Sequence, residues 1–454
     1  MNQNTAFQTK RKTNSDLAQT EKIIAAVDIG TTKIVAIVGK VFNTGKVQVL
    51  GMGKVESHGV KRGVVLNIDE AAGAIQDAVE QAEKQSGIEF KDVYVGIAGQ
   101  HIKSLKNRHS RYINSEDNEI KQHDIDELLK DMQNIALDNG DEIIHVIPQS
   151  YTVDKETGVK QPVGMSGKRL EANFHIVVAE TASAKNILKS VERAGLSVKQ
   201  MMLEPIASSM AVLSEDEKEI GVAMVDIGGG TTDIAIYYDG ILRHTAVIPF
   251  GGYVITRDIK EACGILQRQA EKLKINFGTA LGEATSDAVV SVKSVAGRDP
   301  KKITLKFLSK IIQARMEEII QRVNFEIENS GFADKLGAGI SLTGGGALLK
   351  HLRQLMGYLT GLDTNISYPN YLAETGNKEV NSPMYSTAIG LLLGGYMHEL
   401  ENEANAILNG NNKEIEEDED FEDGNYSEEE PIKKVFSGVK KFFSGMFEDR
   451  SSEM

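Results

Sequence analysis

Two stretches of the chain share one pattern, in which a run of apolar residues breaks into glycines and threonines and then resumes. Residues 221–238 read GVAMVDIGGGTTDIAIYY, and residues 23–39 read IIAAVDIGTTKIVAIVG. A β-branched run that stops at a polar turn and starts again predicts a strand, a tight turn and a second strand. Because the sequence Val-Asp-Ile-Gly occurs both at residues 27–30 and at residues 225–228, the chain is predicted to be internally duplicated.

The turn after residue 226 has the composition of a phosphate-binding loop. Its three glycines allow positive φ and let backbone N–H groups turn toward an anion, and the two threonine hydroxyls add donors. Asp226 ends the strand before this turn, where its carboxylate can hold a hydrated Mg²⁺ ion. A third glycine cluster, within ISLTGGGALLKHLRQL at residues 340–355, follows a short apolar strand and precedes a helical pattern. That arrangement can pack against a nucleoside.

Two such hairpins followed by a strand, three glycines and a helix resemble the actin-like ATPase superfamily, which includes actin, DnaK-type chaperones and sugar kinases. The resemblance implies an α/β fold of duplicated ribonuclease-H-like halves around a nucleotide cleft. In that superfamily an Ala-Glu-x-x-Lys stretch contacts the ribose and base, and Glu271 and Lys274 match it. Without the resemblance, an i,i+3 charge pair on a solvated helix face would be the favoured interpretation.

Length and charge are compatible with this fold. A chain of 454 residues exceeds one ordinary core, so two or more subdomains with a cleft between them are expected. The net charge of −14 argues against general nucleic-acid binding. The single cysteine, Cys263, excludes an internal disulfide and fits a reducing compartment. Because no apolar run approaches the ~20 residues that span a bilayer, and the N-terminus lacks a signal-peptide core, the body is expected to be cytosolic.

Changes in composition and periodicity divide the chain into segments. Polar residues 1–20 are predicted to be disordered. From residue 91 the pattern changes to short strands and one helix, beginning with DVYVGIAG, which predicts an inserted α+β subdomain. The predicted segments are 21–90 for the first domain, 91–178 for the insertion, 179–206 for the return to the first domain, 207–400 for the second domain with its closing helix, and 401–431 for an acidic disordered linker.

The last of the predicted segments, residues 432–447, has the pattern of an amphipathic helix. Lysines occupy the side opposite the apolar face, and the helix is too short to span a bilayer. Such a helix can dock in a protein groove or lie in a membrane interface, and lysines near anionic headgroups favour the membrane. The apolar face comprises Ile432, Val435, Phe436, Val439, Phe442, Phe443, Met446 and Phe447, and the lysines are Lys433, Lys434, Lys440 and Lys441.

Further segments make the resemblance more specific. The segments HVIPQSYTVD, PVGMSGKRLEANFHIV, KNILKSVERAGL and LRHTAVIPFGG, with the glycine motifs and the tail, resemble the FtsA family of bacterial cell-division actins. The resemblance implies an ATP-binding subunit that polymerises on the cytoplasmic face of the membrane at the septum, tethers FtsZ filaments there and recruits later division proteins. The C-terminal peptide of FtsZ would bind at about residues 250–330, and the insertion would serve filament contacts and recruitment.

The resemblance also assigns roles to individual residues by motif. Asp28 and Asp226 would face Mg²⁺. Gly30, Thr31, Thr32, Gly228, Gly229, Gly230, Thr231 and Thr232 would lie at the phosphates of ATP, and Gly344, Gly345 and Gly346 would hold the adenosine. Glu204, in a Glu-Pro-x-Ala-Ser segment, occupies the position that orients the attacking water in related ATPases. The resemblance therefore implies ATP binding and leaves slow hydrolysis open.

Two other interpretations stay open at this point. A pilus-assembly ATPase of related fold would reach the membrane through a partner rather than through its own tail. A sugar-kinase-type phosphotransferase would need an acceptor pocket with a base between the phosphate loops, and it would have no use for a membrane helix.

Overall fold

The computed structural model describes residues 21–115, 117–293, 299–374 and 377–417. The predicted N-terminal extension, residues 418–431 of the predicted linker and the whole amphipathic segment 432–447 lie outside these ranges. None of the helices within the described ranges is long and apolar enough to cross a membrane.

The first domain is built on a five-stranded sheet with the order β11-β6-β1-β2-β3. Strands β1, β2 and β3 form an antiparallel meander, whereas β6 is parallel to both β1 and β11. Its elements before the insertion are β1 (Lys22–Ile29), β2 (Lys33–Val41), β3 (Val47–Glu56), β4 (Val60–Lys61), β5 (Val64–Val65), α1 (Ile68–Ser86) and β6 (Asp92–Ile97). Helix α1 covers the sheet with an alanine-rich face, so it lies close to β3.

The insertion is a four-stranded sheet with the order β7-β10-β8-β9 and one helix packed against it. Its elements are β7 (Ile102–Tyr112), α2 (Gln122–Gln133), β8 (Asp141–Val153), β9 (Glu156–Val159) and β10 (Arg169–Glu180). The prediction that it begins at residue 91 is wrong, because β6 belongs to the first-domain sheet. The apolar run DVYVGI of β6 is buried after its first residue, as expected for a strand with parallel neighbours on both sides.

The chain then returns to the first domain and crosses to the second through α3 (Thr181–Arg193), β11 (Ser197–Leu203), α4 (Glu204–Val212) and α5 (Glu215–Ile220). The second domain repeats the first. Its sheet has the order β14-β13-β12-β17-β18, with an antiparallel meander of three strands and two parallel strands beside it. The duplication predicted from the two Val-Asp-Ile-Gly motifs is therefore confirmed.

The second domain includes three α-helices and a small hairpin between its meander and its parallel strands. Its elements are β12 (Val222–Ile227), β13 (Thr232–Tyr238), β14 (Ile241–Ile248), α6 (Gly252–Cys263), α7 (Gln267–Phe277), β15 (Val289–Val292), β16 (Lys301–Thr304), α8 (Leu305–Ser330), β17 (Ile340–Thr343), α9 (Leu352–Thr360), β18 (Thr364–Ile366) and α10 (Ser386–Glu417). Helices α4 and α10 pack together in a core that also takes residues from both domains, so this core joins the two halves.

Helix α10 is longer than predicted. The sequence predicts an end near Leu400, but the helix continues to Glu417 and so includes the first part of the predicted acidic linker. Two ion pairs hold it near that point: Lys199 pairs with Glu399 at 2.5 Å, and Lys22 pairs with Glu403 at 2.6 Å. Acidic residues such as glutamate are good helix formers, and their abundance alone therefore does not mark the end of the helix.

Candidate functional site

The two predicted hairpins occupy equivalent positions in the two domains. Ile29 pairs with Ile34 at the end of β1 and β2, and Ile227 pairs with Thr232 at the end of β12 and β13. Each turn therefore contains four residues between its last paired positions. Because the sheets are duplicates, the two turns come from corresponding edges and face each other across the gap between the domains.

The tips of the two hairpins lie so close together that side chains would collide. A Cβ atom on Gly229 would lie 2.6 Å from the Thr32 Oγ1 atom, and one on Gly230 would lie 2.6 Å from the Thr31 Cβ atom. Real Cβ atoms do not approach other atoms this closely. Glycine is therefore required at Gly229 and Gly230 by the approach of the opposite hairpin.

A cavity of about 530 Å³ lies between the two domains at these hairpins. Its volume is in the range of small-molecule and cofactor sites. Every residue predicted for the nucleotide site except Thr232 lines it: Asp28, Gly30, Thr31, Thr32, Glu204, Asp226, Gly228, Gly229, Gly230, Thr231, Glu271, Lys274, Gly344, Gly345 and Gly346. Residues that are up to 318 positions apart in the chain, from Asp28 to Gly346, thus meet at one site.

Thr232 is the exception among the predicted phosphate contacts. It is fully buried, and its Oγ1 atom donates a hydrogen bond to the carbonyl oxygen of Phe250 at 2.8 Å. Thr232 is the first residue of β13, so it belongs to the strand rather than to the turn. The prediction that its hydroxyl faces the ligand is therefore wrong, and its role is to hold the segment before α6 against the hairpin.

Four of the carboxylates that line the cavity, those of Asp28, Glu204, Asp226 and Asp233, have raised pKa values. Burial raises the pKa of Asp28 to about 6, although the nearby Lys33 lowers it, and burial likewise raises the pKa of Asp226. Burial and repulsion from the neighbouring carboxylates raise the pKa of Asp233 and Glu204 well above the usual range. The cavity is therefore a place where added positive charge is favourable.

The carboxylate of Asp226 is held by hydroxyls from the two crossing helices. Ser208 of α4 donates a hydrogen bond to the Asp226 Oδ2 atom at 2.7 Å, and Thr387 of α10 donates to the same atom at 3.3 Å. Gly344 approaches from β17 with φ of 82°, at a position where a Cβ atom would collide with the carboxylate. Asp226 thus contacts three separate elements, which set its orientation.

The sequence prediction omits four charged residues of the cavity, which are Lys33, Lys54, Asp233 and Lys350. Lys33 follows the first turn, donates a hydrogen bond to the carbonyl oxygen of Met384, and lies 4.4 Å above the ring of Tyr385. Burial lowers its pKa, while Asp28 raises it. Asp233 is 3% exposed, and its Oδ1 atom has no hydrogen-bond partner among the described residues. Position in the motif could have identified Lys33 and Asp233 from the sequence, because each directly follows the paired threonines of its motif.

At the other end of the cavity, Glu271 and Lys274 form the predicted charge pair and also line the cavity. The Lys274 Nζ atom lies 2.9 Å from the Glu271 Oε2 atom and donates a hydrogen bond to the carbonyl oxygen of Gly252, also at 2.9 Å. Thr256 donates a hydrogen bond to the Glu271 carboxylate. The cavity wall nearby includes the apolar side chains of Ile275 and Leu348. This end combines an apolar surface with a small number of polar groups.

The residues present fit a hydrated magnesium ion. Asp28 and Asp226 are each 6% exposed, line the cavity and carry raised pKa values, so a cation between them would relieve an unfavourable charge. Within the described ranges, no three His, Cys, Asp or Glu side chains are placed to hold a metal by themselves. Mg²⁺ does not need such a cage, because it usually keeps several waters and is also bound by substrate phosphates.

Comparison with solved structures gives the fold. The chain is similar to the structure of a PilM-PilN type IV pilus biogenesis complex, with a TM-score of 0.61 and 14% identity, covering 82% of this chain and 98% of that one. It is also similar to MreB 5 of Spiroplasma citri bound to AMPPNP, with a TM-score of 0.50 and 15% identity over 84% of this chain and 98% of that one. The fold is thus actin-like, with the α+β insertion added to it.

Comparison of sequences gives the family. The family model described as cell division protein FtsA matches residues 223–390, and the model described as the SHS2 domain inserted in FtsA matches residues 99–178. Cell division protein FtsA of Pseudomonas aeruginosa is 37% identical over 430 residues, covering 94% of this chain and 99% of the relative. FtsA of Escherichia coli K12 is 38% identical over 396 residues, covering 85% of this chain and 93% of the relative. The chain therefore belongs to the FtsA family of actin-like cell division proteins.

Proposed function

We propose that this FtsA-family chain binds ATP with Mg²⁺ in the cavity between its two domains and polymerises on the cytoplasmic face of the membrane. Through its tail it tethers FtsZ filaments to the membrane, and it recruits later division proteins. The observation that carries the proposal is the meeting of two glycine-threonine hairpins and two buried aspartates at one cavity in a chain of this family.

The arrangement of the cavity suits a nucleoside triphosphate. Backbone N–H groups in the two glycine turns and the hydroxyls of Thr31 and Thr231 would contact the phosphates, since such turns form anion-binding concavities. Bound Mg²⁺ would neutralise phosphate charge, with Asp28 and Asp226 holding its water shell. The apolar end beside Glu271 and Lys274 would take the ribose and base. The similar MreB 5 structure is bound to AMPPNP, an ATP analogue, which supports the choice of ligand.

Hydrolysis is proposed as a slow second activity that depends on Glu204. This residue begins α4, and its side chain lines the cavity beside Gly96, where a Cβ atom would lie only 2.9 Å from the Glu204 Cγ atom. Its pKa is raised by burial and by Asp28, Asp233 and Asp226. In its ionised form, a carboxyl group with a raised pKa is a stronger base than an ordinary carboxylate, which suits a residue that orients an attacking water.

Membrane binding is proposed for the amphipathic segment 432–447, which lies outside the described residues. Glycines at positions 438 and 445 lower its helix propensity by about 1 kcal/mol each, so the helix is expected to form mainly on contact with lipid. Its affinity as a single copy would be modest, and polymerisation would multiply it. Tethering and polymerisation are thus parts of one mechanism.

The experiment is sedimentation of FtsZ with anionic vesicles in the presence of this chain and Mg-ATP. We expect FtsZ to pellet with vesicles when the full chain is present and to stay in solution when residues 432–454 are removed. Phe443→Glu, on the apolar face, should also release the protein from vesicles. Ser444→Glu adds the same charge on the polar face and is the matched control, which should still pellet.

Each outcome separates one part of the proposal. A Phe443→Glu variant that pellets like Ser444→Glu would contradict membrane binding through this face. Vesicle binding without FtsZ recruitment would contradict the FtsZ tether and would favour a role in another membrane assembly, such as the pilus-type alternative.

A further inference from the structure

The insertion contacts the first domain in a way that holds it in one orientation. The Nε2 atom of His145, on β8, accepts a hydrogen bond from the backbone N–H of Leu203 at 3.0 Å. Burial lowers the pKa of His145 to about 4, so at neutral pH its imidazole is uncharged and can accept this bond. Ile102, Ile144 and Ala179, at the ends of three insertion strands, pack into the first-domain core. The insertion is therefore anchored to the first domain.

The insertion also forms hydrogen bonds with the second domain at Thr245. Thr245 lies on β14, the edge strand of the second sheet, and is 2% exposed. Ser104 of β7 donates a hydrogen bond to the Thr245 carbonyl oxygen at 2.9 Å, and its Oγ atom lies 3.0 Å from the Thr245 Oγ1 atom. The Nε2 atom of His175, on β10, lies 2.9 Å from the same Oγ1 atom. A single threonine thus meets two insertion strands.

A second group of contacts involves Gln149 of β8. Its Nε2 atom donates a hydrogen bond to the carbonyl oxygen of Leu242 at 2.6 Å, and its own backbone carbonyl oxygen accepts one from the Nη1 atom of Arg243 at 2.9 Å. Lys160, which follows β9, forms an ion pair with Asp239 at 2.5 Å. The insertion therefore contacts β14 along its length. Two of these bonds are accepted by the backbone carbonyl oxygens of Leu242 and Thr245, which cannot move independently of the second sheet.

Because the insertion is bonded to both domains, the domains cannot rotate relative to each other without breaking one of the two sets of contacts. The cavity lies between those domains, so a relative rotation of the domains would change its opening. We propose that the insertion is a strap across the two domains, which restricts their relative rotation and slows release of the ligand from the cavity. The effect on ligand release rests on the nucleotide binding proposed above, whereas the restriction of rotation does not.

The strap gives the insertion an influence on a site that it does not line. Among the cavity-lining residues, none comes from the insertion strands β7 to β10. A molecule that binds the insertion and disturbs its contact with Thr245 would therefore open the cavity from a distance, and a closed cavity would in turn stabilise the insertion in its bonded position.

The test uses the full-length chain and two measurements. The first is the distribution of distances between spin labels on the two domains, without nucleotide. Labels would be attached through Lys84→Cys on α1 and Glu261→Cys on α6, both exposed positions, with Cys263→Ser to remove the native thiol. The second is the release rate of a fluorescent ATP analogue after addition of excess unlabelled ATP.

The strap variants are Thr245→Val, which keeps the shape of the side chain, and the double variant Ser104→Ala with Gln149→Ala. The control is Ser110→Ala, a matched change on β7 whose hydroxyl contacts Arg169 within the insertion rather than the second domain. We expect both strap variants to broaden the distance distribution and to release the analogue about tenfold faster, the effect of losing one to two net hydrogen bonds. The control should match the wild type in both measurements.

The two measurements distinguish failure of the strap from failure of the proposed function. An unchanged distance distribution and release rate in the double variant, with wild-type melting, would overturn the strap. A broadened distribution in a chain that binds no analogue would support the strap and refute nucleotide binding. If Thr245→Val fails to fold, the double variant, which changes only insertion side chains, decides the question.

Discussion

Asp28→Asn should make the ligand-free protein more stable while weakening its binding of Mg-ATP. The pKa of Asp28 is raised from 3.8 to about 6 by burial, so its ionised form is held in the folded protein at a cost. One pKa unit corresponds to about 1.4 kcal/mol, so the cost is about 3 kcal/mol at pH 8. At pH 5 the cost falls to about half of that, because the folded-state carboxyl is then mostly protonated.

The direction of the pH dependence follows from the sign of the shift. A carboxyl whose folded-state pKa is raised destabilises the fold above its unfolded-state pKa, and this effect reaches its full size above the folded-state value. Asparagine removes the charge, so the gain in stability should be largest above pH 6 and should shrink below it. Lys33 loses a neighbouring carboxylate in the variant, so about 3 kcal/mol is the upper limit of the gain.

Thermal unfolding at pH 8 and pH 5, without nucleotide, measures this gain. We expect Asp28→Asn to raise the melting temperature by several degrees at pH 8 and by about half as much at pH 5. The matched control is Asp77→Asn, which changes an exposed aspartate on α1 and should leave the melting temperature unchanged at both pH values. Calorimetric titration with Mg-ATP should show a loss of affinity of at least about tenfold for Asp28→Asn. The reasoning would be refuted if the variant melted at a lower temperature than the wild type at pH 8, or if its melting temperature rose equally at both pH values.

Three further substitutions test separate contacts of the site. Ser208→Ala removes a hydrogen bond that lowers the pKa of Asp226, so Mg-ATP affinity should fall about threefold to tenfold by calorimetry; unchanged affinity would contradict the role of this hydroxyl. Thr232→Val should leave affinity unchanged and lower the free energy of unfolding by about 0.5–1.5 kcal/mol in urea, because its hydroxyl bonds to Phe250 rather than to a ligand. Glu204→Gln should keep ATP binding and lower phosphate release about a hundredfold or more; an active variant would exclude this carboxyl from hydrolysis.

The insertion boundary is a feature that local sequence patterns do not locate. The run DVYVGIAG is predicted to belong to the insertion because the pattern of the chain changes at residue 91. Its strand is nevertheless the central neighbour of β1 and β11. A short buried strand has the same composition in either sheet, so which partner it pairs with depends on contacts with residues far away in the chain.

Thr232 and Asp233 show the same limit within the site. Both lie in the motif GGGTTD, and composition alone predicts that Thr232 faces the ligand. Alternation of side chains in β13 depends on the residue at which the turn ends and the strand begins, and a difference of one residue reverses which side chains face the cavity. Asp233, which no motif rule singles out, is the one that lines it.

Local patterns in the chain are enough to predict the duplicated hairpins, the glycine turns, the acidic residues beside them and the order of the domains, because these depend on local periodicity and on the φ angles that glycine allows. The folded arrangement is needed to explain how Asp28 and Asp226 acquire raised pKa values, which hydroxyls hold Asp226, where the insertion begins and that it bonds to both domains. Those properties depend on burial and on contacts between residues distant in sequence, and no local pattern encodes them.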